Sequence, residues 1–149
     1  LWSDHSDHPQ PSESAAFWYI TYHTLFWLDL YLTGSLEGFA PPTPFTLDEL
    51  EPARVLPEQP YSRDELHAYL VHLRKKCQTT MLSLSDEKAH QQVAFPWARG
   101  KQVSYVELLL YSMRHVQEHA AQLSLFLGQH GIPDEALDWV ARAKGEASL

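Results

Sequence analysis

Ser104-Tyr105-Val106-Glu107-Leu108-Leu109-Leu110-Tyr111-Ser112-Met113-Arg114-His115-Val116-Gln117-Glu118-His119 opens on a helix-start signature and closes on two histidines four residues apart. Ser104 and Glu107 form a capping box, in which the serine oxygen accepts from the amide three residues on and the glutamate reaches back. Apolar residues then recur at steps of three and four, through Val106, Leu109, Met113, Val116, Ala120, Leu123 and Leu127. They predict a helix over 104–130 with those residues as its core face. His115 and His119 run with Leu108, Ser112, Gln122 and Phe126 along the edge of the stripe, where a side chain faces a cleft between helices. Imidazoles at this spacing stand roughly 5–6 Å apart at Cβ, close enough to share one metal ion.

Upstream, Ser62-Arg63-Asp64-Glu65 repeats the capping box and predicts a helix over 62–84. Its apolar stripe is Leu66, Tyr69, Leu70, Leu73, Cys77, Met81 and Leu84, which leaves Arg74, Lys75 and Lys76 for solvent. Six of the ten prolines fall in 35–61, at positions 41, 42, 44, 52, 57 and 60. Proline excludes continuous helix there, apart from a turn near 46–50, so the segment reads as a crossover between distant helix ends. Before it, an aromatic helix is expected over 14–33, starting at Ser12 or Ser14, with Gly34 as its left-handed cap. Residues 1–13 read as an irregular leading segment containing His5 and His8. Another irregular stretch, 85–103, carries Phe95-Pro96-Trp97, expected to tuck against the end of the bundle. Pro133-Asp134-Glu135 predicts a short helix over 133–144, with Leu137 and Trp139 or Val140 inward. Strand patterns are absent, so the expectation over 1–149 is a single all-α domain.

A chain of 149 residues with 44% hydrophobic content can bury a sizeable core. Its formal net charge of -8 argues against a nucleic-acid partner, since counterion release from phosphate needs a basic surface. The aromatic helix has nearly the length of a membrane span, but His23 and Asp29 at its centre are costly in hydrocarbon, and no membrane partner is expected. The single cysteine, Cys77, fits a reducing compartment and a cytoplasmic location; on its apolar stripe it reads as a small buried thiol. No phosphate loop, nucleophile elbow or paired-cysteine zinc spacing occurs.

His23 lies among apolar neighbours, and a buried imidazole needs a partner. Either it hydrogen-bonds a carbonyl or tyrosine, or it is a third ligand to an ion held by His115 and His119. Three nitrogens with other positions open would be a ligand-accepting site, because structural zinc is usually closed by four ligands. Tyr19 and Trp27 flank His23 by one turn, while Tyr111, Ser112 and Gln122 flank the pair, so these five are the expected pocket lining. Gln122 and Tyr111 suit orienting a ligand, and Trp27 suits core packing. Glu118 points about 100° away from its histidine neighbour and stays outside the site. His67, His72, His90 and His130 read as solvated.

The run Tyr111 to Leu123, together with Tyr22-His23-Thr24-Leu25-Phe26-Trp27, resembles the DinB-like family of metal-binding four-helix bundles. The resemblance implies a bundle with a long crossover after the first histidine-bearing helix, and a divalent ion, zinc or nickel, on His23, His115 and His119. It also implies a helix ahead of the aromatic one, which the given sequence does not supply before its first histidine-bearing helix. Characterised relatives include thiol-dependent S-transferases and a thiol-dependent isomerase. The implied activity is therefore a metal-dependent transferase using a low-molecular-weight thiol as cosubstrate and small-molecule ligand. Alternatives are a non-catalytic metal-binding or stress-related scaffold and, more weakly, a metal-dependent hydrolase. A homodimer is expected from the missing helix and from Trp18, Tyr22 and Tyr31, which could face a partner.

Overall fold

The computed structural model describes residues 16–51, 56, 57 and 59–132. The readings over 1–13 and 133–144, with His5, His8, Leu137, Trp139 and Val140, lie outside the described residues. Four α-helices are described: α1 (Phe17–Thr33), α2 (Arg63–Leu82), α3 (Asp86–His90) and α4 (Tyr105–Gln129). The protein is an all-α bundle whose long members are α1, α2 and α4, and α1 packs against both others. None of the described helices is long and apolar enough to cross a membrane.

Local chemistry sets the ends of these helices. Ser62 and Ser104 both complete their capping boxes, with Glu65 and Glu107 reaching back to the serine amides. The start of α1 differs from expectation: its cap is Ala16, which offers no side-chain hydrogen bond, and the first helical residue is Phe17. Gly34 ends α1 at φ 78°. A Cβ there would also stand 3.0 Å from the Tyr105 ring, so both the backbone conformation and the close approach require glycine.

A correction concerns 85–103, expected to be irregular. It holds the short helix α3 and an antiparallel hairpin of β1 (Gln92–Ala94) and β2 (Gln102–Ser104), with Val93 opposite Val103. Strands of three residues are too short to show an alternating pattern in sequence. The hairpin loop lays Phe95 and Trp97 on α1, at 5.6 Å from Tyr31 and 5.2 Å from Trp27 between ring centroids.

The directions of the long helices follow from their end contacts. Tyr105, at the start of α4, donates a 2.6 Å hydrogen bond to the Leu32 carbonyl near the end of α1. At the other end Phe17 meets Phe126, so α1 and α4 run antiparallel. Tyr61, just ahead of α2, packs on Trp18 and Tyr22, whereas Lys76, late in α2, reaches Thr33; α1 and α2 therefore run parallel. Parallel neighbours cannot be joined by a short turn, and the proline-rich crossover covers the length of α1. It contributes Phe39 and Phe45 to the core, and Phe45 stacks on Tyr22 and Tyr69.

Trp18, Tyr22 and Tyr31, expected to face a partner, are 4%, 0% and 6% exposed, because the crossover, the hairpin loop and α4 cover them. The phase of α4 is also corrected. Its buried residues are Tyr105, Leu108 and Ser112, whereas Met113 is 55% exposed. The face of α4 toward the core therefore runs through Leu108, Ser112, His115 and His119, with Val106, Leu109, Val116, Leu123 and Leu127 half-buried beside it and Met113 and Ala120 in solvent. On α2, Leu66, Tyr69, Leu73 and Thr80 are buried, Cys77 is half-buried, and Leu70 and Met81 are exposed.

Lys76, expected in solvent, turns inward to the carboxylate of Asp29, which is 2% exposed, at 2.5 Å. It also donates to the Asp29 carbonyl and to Thr33, while the Tyr69 hydroxyl donates to the second Asp29 oxygen at 2.9 Å. A buried carboxylate without a partner is strongly unfavourable, so this network is what lets Asp29 sit in the core. Lys76→Met should cost about 3–5 kcal/mol in urea unfolding, and adding Asp29→Asn should recover about half of that loss.

Candidate metal centre

The antiparallel packing of α1 on α4 brings His23 opposite His115 and His119. The ring centroid of His23 lies 5.2 Å from that of His115 and 5.0 Å from that of His119, and the pair on α4 is 4.5 Å apart. One nitrogen from each ring lies within 4.8 Å of the others. All three are half-buried, as expected for a site at the rim of a helical core.

Hydrogen bonds fix the rings of His23 and His119. Nδ1 of His23 stands 2.7 Å from Oε2 of Glu49, and Nδ1 of His119 stands 2.7 Å from Oε1 of Gln122. Both partners are acceptors, so each Nδ1 carries the proton and each Nε2 presents a lone pair. Nε2 of His119 meets Nε2 of His115 at 3.1 Å. His115 is then the donor from Nε2 in that contact, and its buried Nδ1 has no hydrogen-bond partner among the described residues.

Burial is the main reason that the His115 pKa is pushed down to about 4, with His119 and His23 adding to the effect. The ring is thus neutral near pH 7 and available as a ligand. The donor set fits a divalent ion: neutral imidazoles are suitable ligands, and two nitrogens each about 2.0–2.1 Å from one ion lie about 3 Å apart.

Glu49 was not identified from sequence. It sits in a 3-10 turn, Asp48–Leu50, within the crossover, and its side chain is only 6% exposed. Oε2 accepts from His23 and, at 2.8 Å, from Nε1 of Trp27; Oε1 accepts from the Tyr19 hydroxyl at 2.5 Å. Burial alone would raise its pKa, but bonds from His23, Tyr19 and Trp27 outweigh it and hold the carboxyl below its usual range. A sequence clue did exist. Tyr19, His23 and Trp27 put three polar-tipped rings in one row of an apolar helix, and such a row requires an acceptor.

The expected lining residues divide into groups. Tyr19 and Trp27 have rings 6.1 and 6.2 Å from His23, with their polar atoms bound to Glu49. Gln122 holds His119. The Tyr111 ring lies nearly parallel to that of His115 at 6.4 Å and is 45% exposed, with the Arg114 guanidinium over it. Ser112 is 2% exposed, and its hydroxyl has no hydrogen-bond partner among the described residues. Glu118 lies outside the cluster, 3.8 Å from Arg114. His67, His72, His90 and His130 are exposed.

The position of His115 sets a pH dependence. An unfolded histidine takes its proton near pH 6.5, whereas the folded ring resists protonation down to about 4. Between these values the unfolded state binds more protons, so stability of the metal-free protein should fall as pH is lowered through that window. Urea unfolding at about pH 7 and about pH 4.5 measures the slope, which His115→Gln should flatten; an equal slope in the variant would show that this ring titrates freely.

Among known proteins, a search of curated sequences finds no match to the chain, and neither does a search of solved structures. The model of the DinB superfamily matches residues 4–123. That span takes in the aromatic helix, the crossover and all three clustered histidines, and the chain belongs to the DinB superfamily.

Proposed function

We propose that the protein binds one divalent metal ion through His23, His115 and His119 and leaves further positions on that ion for an exogenous ligand. The observation that carries this reading is the convergence of three imidazole nitrogens within 4.8 Å of one another. In two of the rings Nδ1 is held by an acceptor, which leaves Nε2 free to coordinate. Three side-chain ligands leave a tetrahedral or larger shell incomplete, as in catalytic rather than structural zinc sites.

When bound, such an ion acts as a Lewis acid and makes a thiol or water more acidic near neutral pH. Zinc and nickel both suit imidazole donors. The chain's own residues have three tasks. The histidines hold the ion, Gln122 keeps His119 in its coordinating tautomer, and Tyr111 forms an exposed aromatic wall one turn from His115. By analogy with the family alone, the exogenous ligand is read as a low-molecular-weight thiol and the reaction as thiol S-transfer.

Protein purified without a histidine tag and equilibrated with zinc or nickel should hold about one equivalent by elemental analysis, and His119→Ala should hold much less. Less than about a tenth of an equivalent in the wild type, unchanged by the substitution, would remove the reading. With cobalt in the site, a change in visible absorption on titration with small thiols is expected. A spectrum indifferent to every thiol would leave a metal-binding protein without the transferase chemistry.

A further inference from the structure

Tyr19, His23 and Trp27 lie one turn apart on α1, and the polar atom of each donates to the same carboxylate, 22 to 30 residues away in sequence. That carboxylate enters from the crossover and not from a neighbouring helix. The basic side chain that meets it among the described residues is His23, through a hydrogen bond from Nδ1. Tyrosine and tryptophan could be satisfied by any neutral acceptor. Histidine gains more from a carboxylate, because the bond selects the tautomer, locks the ring and makes the opposite nitrogen a better donor to a cation.

We propose that Glu49 is the positioning residue of the histidine cluster, and that its place on the crossover couples ion binding at His23 to docking of the 46–50 turn against α1. The proposal rests on the metal-binding reading above. Coupling of this kind is reciprocal: the factor by which docked Glu49 strengthens ion binding is the factor by which the ion favours the docked turn. Tyr19 and Trp27 hold the carboxylate in place when no ion is present. The Tyr22 hydroxyl adds a bond to the Thr46 carbonyl in the same turn.

The test compares wild type with Glu49→Gln, which keeps the shape and removes the charge. Zinc affinity, read by competition with a chromophoric chelator, should fall about 10- to 100-fold in the variant. Amide exchange over 46–51 should slow on zinc addition in the wild type and respond much less in the variant. Equal affinities within about twofold, or exchange at 46–51 indifferent to zinc in the wild type, would overturn the proposal. Nitrogen NMR of the metal-free wild type gives a second reading that needs no variant: His23 should be the Nδ1–H tautomer, and an Nε2–H tautomer would also overturn it. A wild type that takes up no zinc fails at the metal-binding reading itself, a result distinct from a variant that binds zinc as well as the wild type.

Discussion

Four polar side chains of α1, Tyr19, His23, Trp27 and Asp29, find their partners on other parts of the chain, whereas the buried Thr24 hydroxyl donates to the Ile20 carbonyl within the helix. The helix is apolar on nearly all sides and packs against both other long helices, which leaves Asp29 almost wholly out of water and Tyr19, His23 and Trp27 only partly exposed. Asp29 is answered by Lys76 and Tyr69 on α2. Tyr19, His23 and Trp27 are answered by Glu49 on the crossover. The Leu32 carbonyl, in the last turn of α1 where the helix supplies no donor, accepts from Tyr105 on α4. These bonds are directional where aromatic packing is not, and they select one arrangement of the segments around α1 from the many that would bury the same rings.

The aromatic residues supply the bulk of the packing. Tyr22, Phe45, Tyr61 and Tyr69 form a cluster with centroid separations between 4.4 and 5.8 Å. Such ring pairs contribute about 0.5–1.5 kcal/mol each beyond their burial. Two of the four rings, Phe45 and Tyr61, belong to the crossover or its junction with α2, so the connection is built into the core. That anchoring lets a segment rich in proline present the carboxylate of Glu49 at a defined place. The histidine cluster consequently draws on three segments: α1, α4 and the crossover.

Much of this was legible in the sequence, and the exceptions have physical causes. Two capping boxes and Gly34 fix helix ends by short-range chemistry, and short-range patterns show them directly. The pairing of His115 with His119 is likewise local. The inward face of α4 was harder to read, because Leu108, Leu109 and Leu110 are consecutive and give no preference among faces. Of the expected row, Met113 and Ala120 are exposed and the other members half-buried, while the buried residues Tyr105, Leu108 and Ser112 lie on the row that leads to the histidines. Lys76 looked solvated because nothing within α2 shows that Asp29 lies beside it. Glu49 was missed for a similar reason: its partners are far away in sequence, and its turn is one acidic turn among several prolines.

The hydroxyl of Tyr105 on the Leu32 carbonyl also acts as the zero mark of a ruler. From it, nine residues back along α1 reach His23 and ten residues forward along α4 reach His115, spans of about 13–15 Å at helical rise. The two arms are nearly equal, and that equality puts the rings at one height. Losing or gaining a single residue on either arm would swing its histidines by about 100° around the helix axis. The lengths of these two arms are therefore fixed far more tightly than the lengths of the loops that join them.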